Sequence, residues 1–296
     1  MKNIHWLDGI PPVQGDVIYF DGTEWQILPA GTSGQFLKTN GSGANPAWAT
    51  IAPNDAAVDP LTLSPYIYLS ADSGVYNDAG VTLCTNGQSV QQWNDLSGNG
   101  RHFAQATAGK KPTYRTTGSN VINSLPVIDF DGGDCMTRAS VAISSFTILS
   151  IFRNTGATRL VYEHGPNVST NDGSALLTTS GATLNVRKGG VTSSANFDAT
   201  WGQNGTWIIA VHQYSVEGVH ARHTGAVNNW NGTPGVVTGN NPGISTITDT
   251  MNLGARNDAA SLGLVGSMAV FLVFTPAITF ENLRRAMLFL QRKWDL

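Results

Sequence analysis

The chain has 296 residues, of which 41% are apolar, a share large enough for a sizeable core. Only 12% are charged and the net charge is -3, so the sequence lacks the basic surface that marks nucleic-acid-binding proteins. With 33 glycines and few charges, the composition is typical of a β-rich surface protein covered by neutral polar groups.

The sequence also argues against a membrane protein and a disulfide-rich protein. Its longest apolar stretch, residues 268–274, is too short to span a bilayer, and residues 1–8 lack the apolar run of a secretion signal. Cys84 and Cys135 are too few for a disulfide framework, so we expect both to be small buried side chains. We therefore expect synthesis in a cytoplasm and no membrane insertion.

Residues 1–50 predict a small β module. Residues 14–28 contain two short strand-like runs around Asp21 and Gly22, which is a strong hairpin signal. Further short runs follow at residues 34–41 and end near Trp48. The module resembles those at the bases and shafts of phage tail and head fibres, where similar Gly-Asp-Val-Ile and Gly-Gln-x-Leu-x-Thr phrases occur. The resemblance implies that residues 1–50 bind other virion structural proteins.

This module has more aromatic side chains than so small a β structure can bury by itself. In fibres the usual solution is a trimer, so we expect a homotrimer that assembles through residues 1–50. The alternative is that the aromatic side chains pack on the chain's own larger domain. Residues 51–64, which have no periodic pattern and contain Pro53 and Pro60, predict a linker. The aromatic residues are Trp6, Tyr19, Phe20, Trp25, Phe36 and Trp48.

Residues 65–296 predict one all-β domain. Residues 93–133 give, in order, a polar turn that begins at Asp95, an extended connection, a buried strand and a tight turn. Apolar runs at residues 146–152 and 207–214 predict central strands. These segments, in this order, resemble the concanavalin A-like lectin/glucanase superfamily in its laminin-G-like form. The resemblance implies a jelly-roll β-sandwich.

A helical pattern follows near the C-terminus. Leu283, Met287, Leu290 and Trp294 recur at the spacing of one helix face, and Thr279 is placed to cap the N-terminus of the helix. We expect this helix to cover the sandwich rather than to bind a membrane or a partner protein.

Relatives of this fold include glucanases, which need two carboxylates about 5–9 Å apart across the sugar bond. In those enzymes the carboxylates come from a strand segment of the form Glu-x-Asp-x-x-Glu. None of the four glutamates of this chain lies in such a segment: they are Glu24, Glu163, Glu217 and Glu281. The sequence therefore predicts that the chain is not an enzyme, with glycan hydrolysis as the weaker alternative.

Two sets of residues could present oxygen atoms to a calcium ion. One set is Asp129, Asp131 and Asp134, and the other is Asp95 and Asn99 of the polar turn. The alternative is that these side chains accept hydrogen bonds from the backbone of their own turns. The sequence indicates no other cofactor.

Two turn-rich loops contain the parts of a sugar-binding site. Each sets a tryptophan among asparagines, and an indole can stack on the apolar side of a sugar ring while amides bind its hydroxyl groups. The alternative is that either indole folds back onto the sandwich. The six residues that we expect to bind carbohydrate are Trp230, Asn228, Asn229, Asn231, Trp201 and Asn204.

Together these expectations describe a bacteriophage surface protein, either a tail or head fibre or a capsid decoration protein, that is synthesised in the host bacterial cytoplasm and displayed on the virion surface. Its N-terminal module fixes a trimer to the virion, and its lectin-like domain attaches to carbohydrate on the host cell surface. The competing hypothesis is a purely structural capsid or collar protein that binds no glycan. Binding to host cells or to a glycan array separates the two.

Overall fold

The chain is divided by its internal contacts into two units, Met1–Ala56 and Ala57–Leu296. Within them, the described residues of this computed structural model are 13–33, 35–50, 56–155, 158–165, 173–178, 184–188, 194–197, 205–217, 220–227, 235–240, 246–256 and 261–296.

Residues 57–64, which the sequence assigns to a linker, belong to the second unit. Pro60–Leu63 form a turn of 3-10 helix, and the side chain of Asp59 accepts a hydrogen bond from the N–H of Leu61. The N–H of Val58 donates to the carbonyl oxygen of Arg285 (3.1 Å). Because proline suits the first turn of a helix, Pro60 begins an ordered turn here.

The first unit contains two β-hairpins. Strands β1 (Val17–Phe20) and β2 (Trp25–Leu28) form one antiparallel pair, and β3 (Gln35–Lys38) and β4 (Ala47–Thr50) form the other. Asp21 closes the first hairpin, as expected, by accepting hydrogen bonds from the N–H groups of Glu24 (2.9 Å) and Thr23 (2.8 Å). These bonds lower the pKa of the Asp21 carboxyl.

The described part of the first unit contains no buried residue. Phe20 and Trp25 face each other across the first hairpin with ring centroids 5.6 Å apart, and they are 54% and 51% exposed. Ile18 lies on the same face, two residues before Phe20, and is also exposed. The indole N–H of Trp48 donates to the carbonyl oxygen of Pro29 (2.5 Å). These described residues thus form no apolar core of their own.

The second unit is a sandwich of two antiparallel sheets. In chain order its strands are β5 (Ile67–Ser70), β6 (Val75–Tyr76), β7 (Gln92–Trp93), β8 (Phe103–Ala104), β9 (Thr113–Arg115), β10 (Val127–Asp131), β11 (Met136–Ile143), β12 (Phe146–Asn154), β13 (Arg159–His164), β14 (Ser174–Thr178), β15 (Leu184–Lys188), β16 (Ser194–Phe197), β17 (Ile208–Glu217), β18 (His220–Val227), β19 (Gly235–Asn240), β20 (Ile247–Leu253) and β21 (Val265–Phe274).

The two sheets are built from strands that are distant in sequence. Sheet I has the order β19-β18-β17-β12-β21-β10-β9, and β5 also pairs with β21. Sheet II has the order β16-β15-β14-β13-β20-β11-β8-β7-β6. This architecture confirms the predicted all-β fold of jelly-roll type. The runs at residues 146–152 and 207–214 supply the central strands β12 and β17, as expected.

Apolar side chains cover both faces of sheet I. Between the sheets, Ile128 and Phe271 of sheet I pack in one cluster with Met136 and Tyr162 of sheet II. A second cluster lies on the outer face of sheet I and joins residues of β5, β10, β12, β17 and β21 to the C-terminal helix. Sheet I is therefore the central layer of this unit.

The helix α1 (Phe280–Trp294) forms as the sequence predicts. The hydroxyl of Thr279 accepts a hydrogen bond from the N–H of Asn282 (3.3 Å) and caps the helix. The four residues of the predicted stripe are fully buried in the outer cluster: Leu283, Met287, Leu290 and Trp294. Among the described residues, no helix has both the length and the apolar character needed to cross a membrane.

The polar turn after Trp93 is organised by one buried carboxylate. Asp95 accepts hydrogen bonds from the N–H groups of Tyr68 (2.9 Å), Ser97 (3.0 Å) and Arg101 (2.9 Å). The side-chain amide of Asn99 donates to the carbonyl oxygen of Tyr66 (3.2 Å). These two side chains therefore hold the backbone of the turn and the start of β5.

Cys84 and Cys135 are both free and buried, which confirms the expectation from the sequence.

Candidate binding site

A cleft of about 250 Å³ opens at the end of sheet I where β9, β10, β12 and β21 meet. Asp129 of β10 is paired with Ser267 of β21, and Ser267 is paired with Arg153 of β12. Asp129 lies two residues after Val127, whose side chain is part of the outer cluster. The side chain of Asp129 is therefore on the outer face of sheet I, the face that α1 covers at another part of the sheet. We call this site the Asp129 cleft. It is lined by Thr113, Arg115, Asn120, Asp129, Phe130, Asp131, Asp134, Arg153, Thr155, Val265 and Gly266.

Asp129 is the centre of a hydrogen-bond network in this cleft. Its Oδ1 accepts from the hydroxyl of Ser267 (2.5 Å), and its Oδ2 accepts from Asn120 Nδ2 (2.6 Å) and Arg115 Nε (3.1 Å). The side chain of Asp129 is 15% exposed, whereas that of Arg115 is 41% exposed. Arg115 therefore presents part of its guanidinium to solvent while it holds the carboxylate.

Arg153 closes this network into a ring. Its Nε donates to Ser267 Oγ (3.1 Å), and one terminal nitrogen donates to the side-chain oxygen of Asn120. We call the four side chains of Asp129, Ser267, Arg153 and Asn120 the Asp129 ring. The guanidinium carbon of Arg153 also lies 5.8 Å from the ring centroid of Trp207, within the range of a cation–π contact. Each polar group of the ring is thus held in place by its neighbours.

The part of the cleft that follows Asp129 along the chain is acidic. Asp134 is 5% exposed, and its Oδ2 accepts a hydrogen bond from the N–H of Asp131 (2.9 Å). Asp131 in turn accepts from the N–H of Gly133 (2.8 Å) through its own Oδ1. Burial raises the pKa of Asp134 from 3.8 to about 6, despite the hydrogen bond from Asp131. Asp134 therefore loses its proton at a higher pH than an ordinary aspartate does.

Replacing Asp134 with asparagine is expected to stabilise the chain at pH 8 but not at pH 4. The raised pKa means that the folded state binds the proton of Asp134 more tightly than the unfolded state does. The protonated carboxyl therefore stabilises the fold fully below about pH 4, and this contribution is lost as the pH rises through about 6. Asparagine keeps an acceptor for the Asp131 N–H and carries no charge. We expect a gain of roughly 1–2 kcal/mol at pH 8, measured by chemical denaturation. An equal effect at both pH values would contradict the assignment.

The three aspartates predicted to bind calcium line this cleft together, and each accepts hydrogen bonds from the protein itself. Both carboxylate oxygens of Asp129 accept hydrogen bonds from Ser267, Arg115 and Asn120, and a guanidinium in that position repels a cation. Asp131 and Asp134 accept hydrogen bonds from the backbone of their own turn. Among the described residues, no group of three acidic, histidine or cysteine side chains is arranged to hold a metal ion. These hydrogen bonds favour the turn interpretation, and calcium binding at these aspartates stays a prediction.

The residues predicted to bind carbohydrate lie outside the described residues. This applies to Trp230, Asn228, Asn229, Asn231, Trp201 and Asn204. Their role stays a prediction.

Sequence analysis missed Arg115, Asn120, Arg153 and Trp207. A signal for Arg153 was present, because it continues the alternation of Leu149 and Ile151, which lie on the outer face, and replaces an apolar side chain by a charge. The other three carry no such pattern, since their positions depend on which strands become neighbours in sheet I.

No family model matches the sequence, and no curated protein matches it. Among solved structures, the Trypanosoma rangeli sialidase in complex with sialic acid is similar with a TM-score of 0.50 and 11% identity, over 78% of this chain and 33% of that chain. A mutant GH54 α-L-arabinofuranosidase has a TM-score of 0.49 and 12% identity, over 76% and 58%. The CBM40 module of a Ruminococcus gnavus sialidase, bound to α2,3 sialyllactose, has a TM-score of 0.42 and 13% identity, over 54% and 95%.

The chain spans about a third of the length of the Trypanosoma rangeli sialidase, and at this identity the likeness shows the fold alone. It nevertheless contradicts the prediction that the chain is not an enzyme, because a sialidase is among the structures with this fold. That prediction rested on the missing Glu-x-Asp-x-x-Glu segment, which tests one arrangement of carboxylates only. Some glycoside hydrolases, sialidases with a tyrosine nucleophile among them, work without such a pair. The missing segment therefore does not exclude catalysis by another arrangement of residues.

Proposed function

We propose that this chain binds a glycan through the Asp129 cleft. The Asp129 ring is the observation that supports this proposal, because it fixes donors and acceptors at the edge of a cleft before any ligand arrives. Sugars offer hydroxyl groups that both donate and accept hydrogen bonds. Groups that are held in place need little further ordering on binding, so more of the interaction energy contributes to affinity.

The size and surroundings of the cleft suit one sugar unit. Its volume of about 250 Å³ is just below the range of ~300–1,000 Å³ for small-molecule sites. Thr113 and Thr155 add side chains with hydroxyl groups to its lining. Trp207 lies beside Arg153 and packs partly against the outer apolar cluster. The site thus combines many polar groups with an aromatic neighbour.

Asn120→Ala is expected to weaken glycan binding at least tenfold, or ~1.4 kcal/mol, because Asn120 joins Asp129 to Arg153. A glycan array with the full chain identifies the ligand, and calorimetric titration measures the loss. Asn77→Ala is the matched control, since Asn77 also donates a side-chain hydrogen bond, to Gln88 Oε1 (3.2 Å), but does not line the cleft.

If the chain binds no glycan, the proposal fails and the purely structural alternative is favoured. If both variants bind as the wild type does, the Asp129 cleft is not the site. The mixtures of protein and glycan from the titrations are also analysed for released sugar. This measurement decides whether a bound glycan is cleaved.

We further propose that the first unit assembles the chain into a homotrimer and fixes it to a phage virion. The exposed hairpin face of Ile18, Phe20 and Trp25 supports this proposal, because an isolated hairpin with an uncovered apolar face is marginally stable in water. Partner copies can cover that face. The resemblance to fibre modules supplies the virion context, with other virion structural proteins as partners and the glycan-binding unit displayed to the host cell surface.

Full-length chain is expected to be trimeric by light scattering at micromolar concentration, and Trp25→Ser is expected to shift it to monomer. The reason is that Trp25 gives the largest apolar side chain to the exposed hairpin face. Val81→Ser is the control, because Val81 is 84% exposed in the second unit and is expected to leave the mass unchanged. A monomeric wild type would refute the assembly proposal and leave the glycan proposal standing.

A further inference from the structure

We propose that the glycan bound at the Asp129 cleft carries a carboxylate, and that the guanidinium of Arg153 receives this group. The inference rests on the proposed glycan binding and adds the chemical class of the sugar, an acidic one such as a uronic or sialic acid. Three observations support it, namely the partners of Arg153, the charge of the ring and the polarity of the cleft.

Arg153 has neutral partners. Its side chain donates hydrogen bonds to the hydroxyl of Ser267 and to the amide oxygen of Asn120. Its third contact is with the ring of Trp207. Within the described part of the chain, no carboxylate lies at ion-pair distance from Arg153, whereas Arg115 is paired with Asp129 at 3.1 Å. A half-buried cation without an anion is a site at which an anionic ligand gains energy.

The guanidinium of Arg153 also has donors to spare. An arginine has five N–H groups. One is used by Ser267 and one by Asn120, so three remain. The planar arrangement of these donors matches the two oxygen atoms of a carboxylate, which is why arginine is the usual partner for that group. The bonds to Ser267 and Asn120 orient the side chain and reduce the entropy that binding would otherwise cost.

The charge of the ring and its nearest cation favours a monoanion. Arg115 and Arg153 contribute two positive charges and Asp129 contributes one negative charge, which leaves one positive charge on these three side chains. Asp131 and Asp134 add negative charge to the lining of the cleft, but Asp131 lies two residues farther along β10 than Asp129. A sugar carboxylate supplies one negative charge and would balance that positive charge. A neutral sugar would leave it unbalanced.

Asp131 and Asp134 set the direction in which such a sugar binds. Asp131 and Asp134 repel a carboxylate but accept hydrogen bonds from hydroxyl groups. An acidic sugar therefore places its carboxylate at Arg153 and its hydroxyl groups toward Asp131. This polarity distinguishes a sugar that is acidic on one side from a polyanion with charges all around.

The first test needs no variant. Trigalacturonate is compared with its methyl ester, and sialyllactose with its methyl ester, by titration into the full-length chain. Each pair differs in one feature, the charged carboxylate. The inference expects the acidic member of at least one pair to bind ten times more tightly or better. Equal binding within both pairs, or preference for the neutral members or for a sulfated glycan without carboxylates, overturns the inference and leaves the proposed glycan binding intact.

The second test assigns the carboxylate to Arg153. Arg153→Gln should lose at least tenfold of the affinity for the acidic probe and less than threefold for its neutral counterpart, while Arg153→Lys should retain part of the preference. Arg292→Gln, in the last turn of α1, removes the same charge outside the cleft and should change neither. If Arg153→Gln does not fold, as judged by thermal unfolding, Arg153→Lys decides alone: the inference then expects a smaller preference for the acidic probe than the wild type shows, and an unchanged preference overturns it.

The outcomes separate the two proposals. If no glycan of either charge binds, the proposed function fails and the inference fails with it. If glycans bind but Arg153→Gln loses acidic and neutral probes equally, the residue supports the cleft without selecting a carboxylate, and the inference alone is overturned.

Discussion

Trp294→Ala is expected to lower the free energy of unfolding by about 3–5 kcal/mol, the usual cost of truncating a buried aromatic side chain. Trp294 is fully buried and ends the apolar stripe of α1 on the outer face of sheet I. Its indole N–H has no hydrogen-bond partner among the described residues, so its contribution comes from packing. We therefore expect Trp294→Phe, which keeps an aromatic ring, to lose much less.

The end of α1 is held in place by two further contacts, so the cavity left by alanine cannot easily collapse. Lys293 Nζ lies 2.7 Å from Asp72 Oδ2, and Asn123 Nδ2 donates to the carbonyl oxygen of Lys293 (2.9 Å). Chemical denaturation of the full-length chain measures the effect. Phe280→Ala in the same helix is the control, because Phe280 is 43% exposed. Equal losses for Trp294 and Phe280 would show that α1 is not part of the core.

Asp95→Ala is expected to destabilise the second unit by about 3–5 kcal/mol. The change leaves three backbone N–H groups without their acceptor, those of Tyr68, Ser97 and Arg101, and each unsatisfied buried donor costs ~1–3 kcal/mol. Asp95 itself is 7% exposed. Because Tyr68 lies in β5, the loss also loosens that strand from the turn.

A second aspartate turn gives the matched control for Asp95. Asp78 accepts hydrogen bonds from the N–H groups of Val81 (2.8 Å) and Thr82 (3.0 Å), but these bonds are exposed and water can replace the carboxylate. Asp78→Ala is therefore expected to cost clearly less than Asp95→Ala by thermal unfolding. Similar losses at the two sites would mean that burial does not decide the value of these turns.

Features with a short-range cause could be predicted from the sequence. The hairpin at Asp21 depends on residues within three positions of it, and the polar turn after Trp93 is closed largely by Asp95 and its neighbours. The helix α1 follows from one cap, Thr279, and one stripe that ends at Trp294. Local hydrogen bonds and helical spacing act over a few residues, so the chain specifies them without knowledge of the fold.

The Asp129 cleft could not be predicted in this way. Asp129, Asp131 and Asp134 are close in sequence and suggest a cation site by themselves. The structure adds Arg115 from β9 and Ser267 from β21, the latter 138 positions away from Asp129. These partners satisfy the Asp129 carboxylate with hydrogen bonds and place the positive charge of Arg115 beside it.

The sequence by itself determined the β-rich composition, the local turns, the helix and the alternation of apolar side chains. The tertiary structure decided which strands became neighbours, and with them the charge and the donors of the cleft. The physical reason is that the pairing of β9, β10, β12 and β21 is set by burial of apolar surface over the whole sandwich. Arg153 contacts Asn120 and Ser267 only because of that pairing, and the pairing cannot be derived from a local sequence pattern.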